Sequence, residues 1–493
     1  MGPPPHPHNA PFSGFRAGRT AFRSAATRVI RLPLNDPDRP RRPVLACIHQ
    51  SEFPFCVIPV PTSRGRNTAE RGCCAAPFSD SGECGGWVLV NSQSWREKAG
   101  RLAREHGVRS LRCAFYDAGE LHVAEAGAEP GPAPAAPFAS LTKLFTATLA
   151  MQLAFDGDLD LDLPVGEYLN EPPFAELRLT TRHLLSHSSG MVCDGPGDGG
   201  LRAAVAAGPL FAPGTAFSYS NAGFALAGKV IEAAAGVSWR NAVTDFLLRP
   251  LDIEPAFLAA DEIPRDLAPA AAIAGTVTDL VAFARLHLDD RDASHAALLD
   301  QEAVRELAEP PFDTLPFGLA DGWGHGWARY GNGADRWLGL DGVGAGATCH
   351  LRIQPERGTV IALQADSAAG LGAWQDLLAQ FRAEGVDVAG YAPGPAAGAA
   401  QDLSDRVGQW ANGETVYRIR PGADTADGAH PGATVLVDDD GMEYDLTGRG
   451  ERFFAARHPR LPEVEHLGRF LLDPETGRAD HMQFGGRVLR RVA

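Results

Sequence analysis

Residues 348–364 read TCHLRIQPERGTVIALQ, two short apolar runs either side of Pro355-Glu356-Arg357-Gly358. Thr348–Ile353 and Thr359–Gln364 carry strand-forming residues, and the Pro–Gly segment between them supplies a turn. A hairpin is therefore predicted late in the chain. A second one is predicted much earlier, where Leu111–Tyr116 is followed by the turn Ala118-Gly119 and the returning strand Leu121–Ala124. Between the two hairpins, from near Ser140 to about Ala308, helical patterns dominate, punctuated by Gly and Pro. Strands early and late around a large helical insert predict one antiparallel sheet built from both ends of the domain, flanked by helices and joined to an all-α subdomain. The fold class is α+β.

A helix starting at Ser94, with Trp95, Ala99, Leu102 and Ala103 on one face, is expected before the first hairpin, running to Gly107. Another, over about Ala373–Glu384, is expected after the second. Residues 385–399 (GVDVAGYAPGPAAGA) read as a linker. Beyond it come short strands at fairly regular spacing: Val416–Ile419, Thr434–Val437, Glu443–Leu446, Arg452–Ala455, Arg469–Leu472, His481–Phe484 and Val488–Val492. Asp440-Gly441 and Gly485-Gly486 supply hairpin turns, so a small all-β barrel is expected. The predicted division is an N-terminal extension over 1–90, a catalytic domain over 91–384, a linker over 385–402 and a barrel over 403–493.

The extension differs from the rest. Residues 1–90 hold 11 Arg against 6 Asp or Glu, while the whole chain of 493 residues carries a net charge of −16. Pro, Ser and Arg are frequent there, and no stretch sustains a helical or alternating period. The segment is read as a disordered extension or as the product of a start codon placed too far upstream. Met1–Gly18 lacks the apolar run of a secretory signal, so a cytoplasmic location is expected. Five of the eight Cys fall before residue 90, and no spacing suggests zinc or a disulfide framework.

Composition excludes several classes. With 44% hydrophobic and 22% charged residues the chain is that of a soluble globular protein. Its acidity argues against nucleic-acid binding, which relies on Lys and Arg at phosphates. No apolar run approaches the roughly 18 residues of a membrane span. Of the 45 cationic residues only Lys98, Lys143 and Lys229 are lysines. An Arg stays charged in a protein, whereas a crowded Lys can serve as a neutral base. Lys98 and Lys229 read as surface charges; Lys143 does not.

Ser140-Leu141-Thr142-Lys143 explains why. A helix start places Ser140 among free N–H groups, and a spacing of three brings Lys143 to the same face within reach of the hydroxyl. Leu141, Leu144 and Phe145 supply apolar cover that lowers an ammonium's pKa. Serine is a weak nucleophile without such a base. By itself the pattern is common, and a Ser at a helix start is usually a cap. Downstream, Tyr219 and Asn221 stand two apart in Ser218-Tyr219-Ser220-Asn221, so both can face one cleft, the phenol moving protons and the amide holding a substrate carbonyl. A third stretch, Gly339-Leu340-Asp341-Gly342-Val343-Gly344, leads directly into the strand at Thr348.

Taken together these motifs resemble the serine β-lactamase and penicillin-binding protein superfamily, on its class C side with esterases and D-aminopeptidase-like members. Residues 180–191 (TTRHLLSHSSGM) are similar to the family's signature between nucleophile and tyrosine, and residues 276–286 (TVTDLVAFARL) to a later helix. The likeness covers about residues 92–384, and the terminal barrel resembles a lipocalin-like domain. The resemblance implies that Ser140, activated by Lys143, forms an acyl-enzyme, with Tyr219 passing protons and Asn221 orienting the acyl chain's amide. It implies an oxyanion hole from the backbone N–H groups of Ser140 and Val343, each contributing about 3 kcal/mol to the transition state.

One departure stands out. The family's third motif usually begins with Lys or His, and here that place is Leu340, in Leu340-Asp341-Gly342. Leucine cannot bind a substrate carboxylate, and Asp341 is expected to add negative charge nearby. The expected donor is therefore a neutral ester, amide or thioester, with water or an amine as acceptor. A hydrolase, an amide-forming or cyclising acyltransferase of antibiotic biosynthesis, and a catalytically silent binding protein all remain open. His325 is read as structural.

No cofactor or metal is expected. His183 and His187 stand four apart but lack an accompanying glutamate. The run Asp156, Asp158, Asp160 and Asp162 has Leu161 where a calcium loop needs Gly, so it reads as a solvated turn. Partners reduce to small molecules, with no nucleic acid and no membrane, and the oligomeric state is not encoded legibly.

Overall fold

A computed structural model describes residues 92–492 except 128–133, 196–199, 332, 345, 392–398, 423–433, 460 and 474. The expectations for residues 1–90 lie outside the described residues.

The chain opens with α1 (Ser92–Glu105), which buries Trp95, Ala99 and Leu102 as their spacing predicts. The first hairpin is β1 (Leu111–Asp117) with β2 (Glu120–Ala126). Two long helices of the insert matter for the site: α2 (Thr142–Phe155) and α3 (Asn221–Ala235). Eleven of the 14 residues of α2 are buried, so it is a central helix rather than an amphipathic one. The Ser220 side chain caps α3 by accepting from Gly223 N–H at 2.9 Å, and Gly236 ends it in the left-handed region. Helix α4 (Val277–Arg285) starts with a capping box between Thr276 and Asp279.

The sheet is completed by β3 (Gly322–Trp323), β4 (Ala328–Tyr330), β5 (Trp337–Gly344), β6 (Ala347–Gln354) and β7 (Thr359–Ala365), and α5 (Gly370–Ala383) follows. Its seven strands run in the order β2-β1-β7-β6-β5-β4-β3, every pair antiparallel. Strand β1 pairs with β7, Leu111 opposite Ala365, so the two ends of the domain meet mid-sheet as the separated hairpins predict. Strand β5 is not evident from pattern, because Gly339, Gly342 and Gly344 interrupt its period. Gly339 is there for close approach: a Cβ on it would sit 1.9 Å from Leu351 O on β6.

The C-terminal unit is a closed, eight-stranded up-and-down barrel. Its strands are β8 (Gly408–Asn412), β9 (Thr415–Pro421), β10 (Thr434–Val437), β11 (Glu443–Arg449), β12 (Phe453–His458), β13 (Leu461–Leu472), β14 (Ala479–Phe484) and β15 (Arg487–Arg491). Each pairs with the next, and β15 closes on β8 through Trp410 opposite Arg491. Trp410, Phe454, Phe470, Phe484 and Tyr444 fill its interior. Two stretches escape sequence reading: β8, with its polar Gln409 and Asn412, and the first half of β13, which holds Pro462 and charged residues. The described residues fall within one compact unit. Among them no helix is long and apolar enough to cross a membrane.

Candidate active site

Ser140 sits on a single 3-10 turn, Ala139–Leu141, that runs directly into α2; the helix proper begins two residues later than the nucleophile. Ala139 holds a left-handed backbone, φ 49°, at a cost of roughly 1–2 kcal/mol for a residue with a side chain. The turn is fastened at both ends to Ile273. Phe138 N–H donates to Ile273 O at 2.9 Å, and Ile273 N–H donates to Thr142 Oγ1 at 3.1 Å.

Lys143 Nζ lies 3.3 Å from Ser140 Oγ and donates to Ala270 O at 3.0 Å. The rings of Tyr219 and Phe224 cover it, with centroids 4.9 and 5.8 Å from Nζ, and the side chain has no solvent exposure. Burial pulls its pKa down to about 7. The neutral amine is therefore a substantial fraction of the protein at neutral pH. Because the base must be unprotonated, acylation is expected to rise with pH through a midpoint near 7 and level off above it. A kcat/KM profile on a neutral ester over pH 5.5–9 checks this, and a flat profile would remove Lys143 as the base.

Burial also pushes the Tyr219 phenol up, a rise that the adjacent Ser140 hydroxyl opposes. At neutral pH Tyr219 is a phenol, a proton donor rather than a resting base. His187 supports it from behind, ring centroids 4.3 Å apart, while His187 Nδ1 accepts from Ser220 N–H at 3.1 Å. Ser140, Lys143 and Tyr219 are thus brought together.

Strand β5 lies along the nucleophile turn. A Cβ added at Gly342 would stand 3.0 Å from both Leu141 Cδ1 and Phe138 O, and one at Gly344 3.7 Å from Ala139 Cβ. Val343 lies between these glycines, on the strand that runs along the turn carrying Ser140. Leu340 shares the face of Gly342 and is buried in the core. Asp341 corrects an expectation. It faces the opposite side of the sheet, where Arg352 grips both carboxylate oxygens at 3.0 and 2.7 Å and His350 Nδ1 lies at 2.9 Å. Burial alone would raise this carboxyl, but Arg352 and His350 hold it well below the usual range. Its charge is neutralised beneath the sheet and does not enter the cleft as substrate-binding surface.

Asn221 opens α3. Its side-chain nitrogen donates to Asp194 Oδ1 at 3.0 Å, and Ala222 N–H donates to Cys193 O at 2.8 Å. The barrel reaches the same place. Asn412, at the end of β8, accepts from Cys193 N–H at 2.7 Å and donates to Ser218 Oγ at 3.3 Å. From the β14–β15 turn, Gly486 O accepts from Tyr219 N–H at 2.9 Å and Val488 N–H donates to Ser218 Oγ at 3.1 Å. Arg487, between those two anchors, is half-buried, and its charge acts on Lys143, Tyr219, Cys193 and Asp194. Nothing in the local sequence marks Asp194, Asn412 or Arg487. The only signal is Gly485-Gly486, which reads as a turn and gives no hint of what the turn meets.

The remaining candidates take structural places. His325 Nδ1 donates to Glu306 O at 2.8 Å, and its Nε2 accepts from Arg182 at 3.0 Å. His183 Nδ1 accepts from Thr180 N–H at 3.2 Å within the cap of its own helix. Asp162 gives both carboxylate oxygens to Arg182, at 2.7 and 2.9 Å. Lys98 pairs with Glu384 and Lys229 with Asp266 near the surface. Among the described residues no group of three or more His, Cys, Asp or Glu is placed to hold a metal.

Residues 95–377 match the Beta-lactamase family. Penicillin-binding protein 4 of Amycolatopsis lactamdurans is 31% identical over 347 residues, which span 59% of this chain and 89% of that protein. The crystal structure of SurE superimposes with a TM-score of 0.70 at 34% identity, covering 81% of this chain and 99% of SurE. SurE with D-Leu gives the same TM-score at 36% identity. Residues 92–384 alone are too few to supply 81% of the chain, so the likeness to SurE extends beyond them.

Proposed function

The chain belongs to the β-lactamase family and is a serine hydrolase or acyltransferase of that kind; from this we propose that it takes the acyl group of a neutral ester, amide or thioester onto Ser140 and passes it to water or an amine. The observation that carries the reading is the sealed Lys143 amine, 3.3 Å from Ser140 Oγ and brought to a pKa of about 7.

In this reading, neutral Lys143 takes the Ser140 proton as Oγ attacks the carbonyl carbon. The oxyanion is met by the N–H groups of Ser140 and Val343. Collapse expels the leaving group, which takes a proton from Tyr219, and the Lys143 ammonium restores it. The acceptor then reverses the sequence: as it attacks the acyl carbon it gives its proton to Tyr219, which passes its own to neutral Lys143, and the Lys143 ammonium returns a proton to Ser140 Oγ as the acyl group departs. Two features support a neutral donor. Leu340 places no cation on β5, and the Arg487 charge is offset by Asp194 beside it, so the cleft offers a free carboxylate little net attraction.

SurE has been crystallised with D-Leu. We extend that stereochemistry to this chain, whose likeness to SurE covers 81% of its length, and assign it an acyl donor ending in a D-configured residue. The test is the intact mass of the protein after reaction with the 4-nitrophenyl esters of N-acetyl-D-leucine and N-acetyl-L-leucine, with and without a primary amine. An adduct on Ser140 forming faster from the D ester is expected. Faster discharge with amine than without it identifies an acyltransferase; equal discharge identifies a hydrolase. If neither ester leaves an adduct or releases nitrophenol, the acyl-serine reading is wrong.

A further inference from the structure

His187 follows the short helix Thr181–Leu185 and is sealed from solvent. Its backbone is left-handed, φ 54°, a conformation that histidine adopts more readily than most residues with a side chain. From there it meets the tyrosine segment twice. His187 O accepts from Ser218 N–H at 2.8 Å, and His187 Nδ1 accepts from Ser220 N–H at 3.1 Å. The two bonds straddle Tyr219.

The side-chain bond answers a need of the backbone. Ser220 is the N-cap of α3, and a capping residue's own N–H has no acceptor inside its helix. His187 supplies one, and the bond fixes the ring chemically. An imidazole nitrogen that accepts carries no proton, so the hydrogen sits on Nε2 and the ring is neutral. A proton on Nδ1 would set two donors against each other. Phe217, Phe224 and Trp323 pack round the ring, with centroids 5.6, 5.0 and 5.2 Å away, and Nε2 has no hydrogen-bond partner among the described residues. Burial and the Lys143 charge hold the ring's pKa well below its usual value, so this form persists at neutral pH.

The consequence falls on the phenol. Tyr219 N–H is itself taken by Gly486 O at 2.9 Å, so three consecutive N–H groups are bound and the backbone cannot turn there without breaking one. The His187 ring lies against the Tyr219 ring, centroids 4.3 Å apart, and Lys143 Nζ stands 4.9 Å from the centre of the same tyrosine ring. We propose that His187 is a positioning residue for proton transfer to the leaving group: its clamp on Ser218 and Ser220 holds the Tyr219 phenol where the departing atom needs a proton. This rests on the acyl-Ser140 reading and adds the residue that makes Tyr219 an effective acid. A histidine that only supported the fold would matter equally for every acyl donor. A positioning one matters in proportion to the leaving group's need for a proton.

The experiment compares the 4-nitrophenyl and phenyl esters of N-acetyl-D-leucine. Both give the same acyl-enzyme, but 4-nitrophenolate departs readily as the anion and phenolate much less so. Release of the phenol gives kcat/KM for each, corrected for uncatalysed hydrolysis. In the unaltered protein the nitrophenyl ester is expected to be faster by only about 3-fold, and in His187→Ala by about 100-fold, because the phenyl ester loses its well-placed acid. In His187→Asn, Oδ1 replaces Nδ1 as acceptor and the side chain tolerates the left-handed backbone, so the ratio is expected to return to within about 3-fold of the unaltered value. Equal losses on the two esters in His187→Ala overturn the proposal. So does a ratio in His187→Asn, or in the unaltered protein, as large as that expected of His187→Ala. Should the alanine variant not fold, the ring is read in the unaltered protein by nitrogen NMR, assigned through its absence in His187→Asn. The neutral Nε2–H form is expected at neutral pH, and a proton on Nδ1 overturns the proposal. Failure of the underlying chemistry is read separately by intact mass. If the 4-nitrophenyl ester leaves no adduct on Ser140 and releases no nitrophenol, the acyl-serine reading falls and this inference with it; an adduct with an unchanged ratio in His187→Ala removes this inference alone.

Discussion

Ser140→Ala is expected to lower kcat/KM for any acyl donor by about 10⁴-fold or more, with no acyl adduct detectable by intact mass. The loss is complete because the remaining groups act through the hydroxyl: Lys143 has no proton to take, and Tyr219 has no leaving group to serve. Stability should change little. Ser140 Oγ accepts from Lys143 and lies in hydrogen-bonding reach of the Tyr219 phenol, and the Lys143 nitrogen keeps its bond to Ala270 O. One neutral bond contributes about 1 kcal/mol, so the thermal midpoint should shift by only a few degrees at most. Unchanged turnover in the variant would end the assignment of Ser140, whatever its neighbours suggest.

Removal of the barrel, residues 403–493, is expected to cost at least about 10³-fold in activity together with much of the stability. Its hydrogen bonds do not fall on a passive surface. They reach Cys193 N–H, the Ser218 hydroxyl, the carbonyls of Phe217 and Leu210, and Tyr219 N–H, most of them on the two segments beside Ser140 and Lys143. Each of these bonds exchanged for one to water loses about 1 kcal/mol, and several at once, with the apolar surface the barrel covers, are a large share of the roughly 5–15 kcal/mol by which an ordinary domain is stable. The catalytic phenol would lose the turn that orders its backbone, and the cleft would lose the Arg487 charge. Activity and thermal unfolding of the shortened chain, measured beside the full chain, decide the matter. Retention of full activity would make the barrel an appendage with some other task.

What sequence reading reached, and what it missed, follows from the range of the interactions involved. The hairpins and their pairing across the helical insert were legible because alternation, turn chemistry and order along the chain are local or topological signals. The relation of Ser140 to Lys143 follows from one helical turn. Strand β5 was obscured because its glycines serve packing against β6 and the nucleophile turn, and such packing leaves no periodic trace. The side of the sheet taken by Asp341 depends on Arg352 and His350, which commit its carboxylate to the far face. Asp194, Asn412 and Arg487 lie beyond sequence reading for the same reason. Their importance arises only where a barrel turn meets a loop more than 200 residues earlier.

The scarcity of lysine has a practical consequence at the bench. Lys98 and Lys229 sit near the surface, with 17% and 34% of their side chains exposed, while Lys143 is enclosed. Amine-directed reagents such as succinimidyl esters would thus find only those two lysine side chains. Both are remote in sequence from the nucleophile turn, so fluorophores or resin linkages can be attached through them while the amine that drives the chemistry stays shielded.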